Sequence, residues 1–117
     1  MTIAPEELFQ ALSDPTRLRI LALLWKQGEL CVCELTQALS LSQPMISRHL
    51  ATLRTAGIVS DRRAGIWVHY RVHLELPGWA RNVIDATMAG LARVQPYQAD
   101  RRALRAIAPR ARDQRCG

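Results

Sequence analysis

Residues 41–54 read L-S-Q-P-M-I-S-R-H-L-A-T-L-R, and their spacing decides how the chain around them is read. Ser42 is an N-cap acceptor, Pro44 falls in a first turn whose N–H groups have no helical partner, and Gly57 supplies a stop. Ile46, Leu50 and Leu53 share one face of such a helix, so Ser47, Arg48, Ala51 and Thr52 lie around the other. Just upstream, residues 30–39 carry Cys31, Leu35, Ala38 and Leu39 at helical spacing. Ser40-Leu41-Ser42 joins the two segments, and the pair reads as a helix-turn-helix whose second member presents a polar outer face.

Residues 58–63 and 66–72 then read as two strands joined at Ala64-Gly65. The spacing puts Ile66, Val68, Tyr70 and Val72 on one face and Trp67, His69 and Arg71 on the other, a basic hairpin wing. Upstream, residues 5–12 form a short helix with Leu8, Phe9 and Leu12 on one side. Asp14-Pro15 starts a second helix that runs to Gly28 and is apolar almost all round, which marks it as the most central. Downstream, Pro77 opens a last helix with Ala80, Val83, Ile84, Thr87, Met88, Leu91 and Val94 in one stripe.

The expected architecture is mainly α with a small β-hairpin, in the order α-α-α-α-β-β-α: a winged helix-turn-helix. The last stripe is longer than so small a domain needs, which predicts a twofold homodimer through the first and last helices, with Leu8, Val83, Ile84, Met88 and Leu91 at the contact. Residues 1–95 read as this single domain, and residues 96–117 as a basic tail, with residues 99–108 able to add a helical turn or two.

The chain has 117 residues and a formal charge of +6, and fifteen of its sixteen cationic side chains are Arg, which grips phosphate as a planar fork. An anionic polymer is the expected partner, although +4 of that charge lies from Tyr97 onward. No apolar run is long enough to span a membrane, and the N-terminus lacks a signal-peptide pattern, so the reading places the protein in the cytoplasm. Cys31, Cys33 and Cys116 are an odd count, which argues against a disulfide framework and for thiols used as ligands or redox groups. No motif pairs a nucleophile with a base, and C-x-C is not a C-x-x-C redox motif, so an enzyme is not expected.

A helix of this kind enters the major groove, where its early residues reach base edges and flanking groups hold phosphate. Gln43, Ser47 and Arg48 suit base reading, since Gln can pair with adenine and Arg with guanine. His49 lies nearer the buried edge. Thr52 and Arg54 suit phosphate, and Arg62 and Arg63 on the wing suit backbone or minor groove. Any one of these residues could simply solvate a surface helix; the turn, the apolar triplet and the basic hairpin together favour DNA.

The segments A-L-S-D-P-T-R-L-R-I-L at 11–21, E-L-C-V-C-E-L at 29–35 and residues 43–71 resemble the ArsR/SmtB winged-helix repressors, in particular the arsenical-resistance regulators. The resemblance implies a homodimeric repressor of operator DNA, released when trivalent arsenic or antimony binds cysteine thiolates. Soft centres favour thiolate ligands, which makes Cys31 and Cys33 the expected pair. Cys31 alone could be an ordinary buried cysteine on the Leu35 stripe; Cys33 escapes that explanation.

Two residues apart on a regular helix, they would point about 200° from each other, whereas in an extended segment they share a face. Capture therefore predicts a non-helical or unwound turn at residues 30–33, a distortion that would tilt the reading helix. Relatives with this motif often carry another cysteine where Thr36 stands here. Three readings stay open: a two-thiolate site for methylated or phenylated trivalent arsenic, a site completed by a small thiol or water, or recruitment of Cys116. The family's zinc site would need a histidine that the segment Asp85-Ala86-Thr87 lacks. The alternatives to a metalloid-released repressor are a thiol-based redox repressor on the same scaffold and a thiol protein that buffers metalloid.

Overall fold

The computed structural model describes residues 1–107; Cys116 and the rest of the expected tail beyond that point lie outside the described residues. Six helices and a three-stranded sheet follow in the order α1 (Pro5–Leu12), α2 (Pro15–Gln27), β1 (Leu30–Cys31), α3 (Val32–Leu39), α4 (Gln43–Thr55), β2 (Val59–Ala64), β3 (Trp67–Val72), α5 (Gly78–Gly90) and α6 (Tyr97–Arg105). This is a winged helix-turn-helix, as expected, with one strand and one helix more than the sequence suggested.

Local signals fix most of the boundaries. Asp14 caps α2 by accepting from Arg17 N, Ser42 caps α4 by accepting from Met45 N, and each leaves Pro in the first helical turn. Ile20, Leu21, Leu23 and Leu24 of α2 are buried together, as the near-continuous apolar pattern required, and Leu35, Ile46, Leu50 and Leu53 pack onto them. Gly65 opens the hairpin turn at φ +67°, a left-handed angle that suits glycine at the first position of a two-residue turn.

Several expectations need correction. The helix foreseen over residues 30–39 begins at Val32 instead, because Leu30 and Cys31 pair antiparallel with Tyr70 and His69 of β3. On α1 the buried face is Leu8, Ala11 and Leu12, while Phe9, one residue and thus 100° round from Leu8, is 54% exposed. Ile66 belongs to the hairpin turn rather than to a strand and is 75% exposed. The stripe credited to one last helix is broken: α5 stops at Gly90, Val94 is exposed, and α6 follows.

Helix α6 lies beyond residue 95 and is fastened to the core. Asp100 is buried and accepts from both Nε and Nη2 of Arg19 at 2.8 Å, and the same Nη2 donates to Leu39 O at the end of α3. Arg101 donates to Ala92 O, tying α6 to the turn after α5. No described helix is long and apolar enough to cross a membrane.

Candidate nucleic-acid interface and cysteine site

Helix α4 presents Gln43, Ser47, Arg48, Ala51 and Thr52 to solvent because Ile46, Leu50 and Leu53 are held in the core on its opposite side. Its N-terminus carries Gln43, so an approaching groove meets the helix's free N–H groups and this side chain together. The Thr52 hydroxyl donates to Arg48 O at 3.2 Å, which spends its hydrogen inside the helix. Beside α4 runs a groove of about 600 Å³ whose wall includes Arg17, Arg48, Thr52 and Thr55. Arg17 is a cation that the sequence reading passed over. Its Nε and Nη2 donate to Ala11 O and Gln10 O at the end of α1, which aims the guanidinium along this groove.

The other candidates are placed less simply. His49 turns inward, its side chain 13% exposed, with Nδ1 3.9 Å from Asp14 Oδ2 and 3.4 Å from Arg17 Nη1. Burial holds its pKa below the ordinary value, with Arg17 and Arg48 pushing the same way and Asp14 opposing. The structure thus seats His49 between α4 and the start of α2 rather than on the outer face. Arg54 donates to Asp61 at 3.3 Å, bridging α4 to the wing. Arg63 is exposed on the wing, whereas Arg62 forms a two-point fork with Glu29, Nε to Oε2 at 3.0 Å and Nη2 to Oε1 at 2.6 Å. Arg62's hydrogen bond, with its charge, holds the Glu29 carboxyl below the usual range.

The cysteines straddle a change of backbone. Cys31 is extended (φ −92°, ψ 168°) and serves as the N-cap of α3, while Cys33 lies inside the helix's first turn. Glu34, at N3, reaches back to accept from Cys31 N at 3.0 Å, so Cys31 stands where Ser or Thr stands in a capping box. The C-x-x-E spacing was the signal available for this cap, and the sequence reading did not use it. Cys33 is half-buried and is a free thiol. Cys31 is buried. Thr36, in the place of a third cysteine, donates its hydroxyl hydrogen to Cys33 O at 2.8 Å. Among the described residues no three His, Cys, Asp or Glu are already grouped to hold a metal ion. The donor types of the pair suit a soft centre.

Of the residues expected at a dimer contact, Leu8, Ile84 and Met88 are 0%, 0% and 2% exposed, because each packs the protomer's own core. Val83 and Leu91 are half-buried, and α1 and α5 also leave Phe9 and Trp79 open. Asp85 is occupied within the fold, accepting from Trp25 Nε1 at 2.8 Å and from Arg81 Nε at 3.3 Å.

Residues 14–61, which hold α2, the helix-turn-helix and the start of the wing, match the family model described as bacterial regulatory protein, arsR family. The arsenic resistance transcriptional regulator ArsR1 of Pseudomonas putida is 53% identical over 94 residues, covering 77% of this chain and 73% of that protein. The chain belongs to the arsR family. Among solved structures, the AntR antimony-specific transcriptional repressor is similar at a TM-score of 0.60 with 28% identity, over 72% of this chain and 73% of that one. A homodimeric winged helix-turn-helix DNA-binding domain from Mycobacterium bovis, a possible ArsR-family regulator, is similar at 0.62 with 30% identity, over 74% and 78%. An arsR-family chain of this make-up is a DNA-binding transcriptional repressor of the arsenical-resistance kind.

Proposed function

We propose that the protein is a homodimeric repressor that leaves its operator when Cys31 and Cys33, as thiolates, hold one trivalent arsenic or antimony centre. The observation that carries this reading is the position of the C-x-C pair, with one cysteine capping α3 and the other in its first turn. To share a soft centre, the two side chains must abandon the cap or unwind that turn. Helix α3 leads through a three-residue turn into α4, so a local distortion becomes a change of angle at Gln43, Ser47 and Arg48.

The dimer reading rests on Phe9 and Trp79, apolar side chains that α1 and α5 leave exposed, with the half-buried Val83 on α5 and Leu91 just after it. Two copies of α4 would then reach successive major grooves.

The test is operator footprinting of the reduced protein with and without arsenite, methylarsenite, antimonite, cadmium and zinc. Loss of protection with the trivalent arsenicals or antimonite, but not with zinc, supports the assignment. Protection that survives all three overturns it. A second reading, thiol-redox release, draws on the half-buried free thiol of Cys33; release by oxidant alone, in the absence of metalloid, would support it.

A further inference from the structure

The wing is tied to the cysteine segment by two independent connections. Strand β1, which contains Cys31, hydrogen-bonds to β3 with Leu30 opposite Tyr70 and Cys31 opposite His69. Glu29, immediately before that strand, takes both donors of the Arg62 fork. The strand order is β1-β3-β2, so Arg62 on β2 lies on the far side of the central strand, opposite the same His69. The ion pair therefore reaches across β3, alongside a row made of Cys31, His69 and Arg62.

We propose that Glu29 and Arg62 are positioning residues that couple the cysteine segment to the wing, so that drawing Cys31 toward Cys33 unfastens β1 and this ion pair together and withdraws the wing from operator DNA. The inference rests on the metalloid reading above and gives it a second route of output beside the α3–α4 turn. A two-stranded hairpin by itself is marginal in water; the base of β2 and β3 is held by the core through Val59 and Val72, and the third strand with the groups bound to it adds a further hold nearer the middle of the hairpin. A carboxylate gripping a guanidinium at two points fixes orientation as well as distance. The side chains of Arg62 and Glu29 are 53% and 26% exposed, and a pair so open to water contributes little to stability. Its value is geometric, and its removal leaves the fold intact.

The experiment uses the reduced full-length protein, its operator and arsenite, with Glu29→Gln and Arg62→Gln made singly and together. Operator affinity is measured with and without arsenite, arsenite affinity on the DNA-free protein, and amide exchange across β3. Arsenite affinity and thermal midpoint are expected to stay near wild type. The factor by which arsenite weakens operator binding is expected to fall about fivefold or more in each single variant, and no further in the double. In the wild type, arsenite is expected to speed amide exchange in β3. Variants that keep the full factor, or β3 amides indifferent to arsenite, overturn the inference while leaving the metalloid reading intact. A wild-type protein that arsenite does not release overturns that reading, and this inference with it.

Discussion

At Cys31 and Cys33 the backbone passes from extended to helical within two residues, so any ligand shared by both side chains has to be felt by the main chain. The C-x-C spacing was legible in the sequence; the cap, in which Glu34 accepts from Cys31 N, was signalled only by the C-x-x-E spacing, with cysteine in the place where Ser or Thr is the usual cue. Replacing either cysteine with Ser is expected to leave operator affinity within about threefold of wild type while abolishing arsenite release, a separation that anisotropy titrations would show. Arg48 belongs to the other half of the proposed mechanism. Arg48→Ala is expected to weaken operator binding by about 1–3 kcal/mol if it reads a base, with arsenite uptake unchanged.

His49 makes a pH prediction. Burial lowers its pKa in the folded protein from the ordinary 6.5. As pH falls below that value the unfolded chain takes up the proton first, so the unfolded state binds more protons and stability declines as pH drops. Denaturation midpoints measured from neutral pH downward are expected to show this loss, and His49→Gln is expected to remove its share. The sequence hinted at this placement through the position of His49 near the buried edge of α4, but not at Asp14 and Arg17 as its neighbours.

Among the elements, α2 and α4 were readable because their caps, prolines and apolar spacing are all local. Ser42→Ala removes the acceptor for Met45 N and is expected to cost about 0.5–2 kcal/mol, measurable by denaturant unfolding. Strand β1 was not readable, since two residues cannot display an alternating pattern and their partners, Tyr70 and His69, lie some forty positions away. Helix α6 was underestimated for the same reason: its anchor, Asp100, meets a guanidinium 81 positions earlier. Asp100→Asn leaves the Arg19 charge half-enclosed. Because that side chain keeps 21% exposure, a loss of about 3 kcal/mol is expected, the low end for breaking a buried pair.

In the molecule as a whole, the apolar stripe read on the helix after the wing is divided by the end of α5 at Gly90, and periodicity could not sort its members. Ile84 and Met88 are buried in the protomer and Val83 and Leu91 pack partly against its core, whereas Trp79 and Phe9 of α1 are exposed and are the side chains the proposed dimer would cover. Phe9→Glu with Trp79→Glu is expected to shift sedimentation from dimer to monomer and to weaken operator binding, because two linked half-site contacts become one.

If thiolate capture and operator binding oppose each other through this molecule, their effects must be reciprocal. The direct measurement is the arsenite affinity of the reduced protein, free and operator-bound, set beside its operator affinity with and without arsenite, repeated for the Cys31→Ser, Cys33→Ser double variant. Equal ratios in the wild type, and a ratio of one in the variant, are the predicted result. An operator that leaves arsenite affinity unchanged, or a double variant still released by arsenite, would contradict the account.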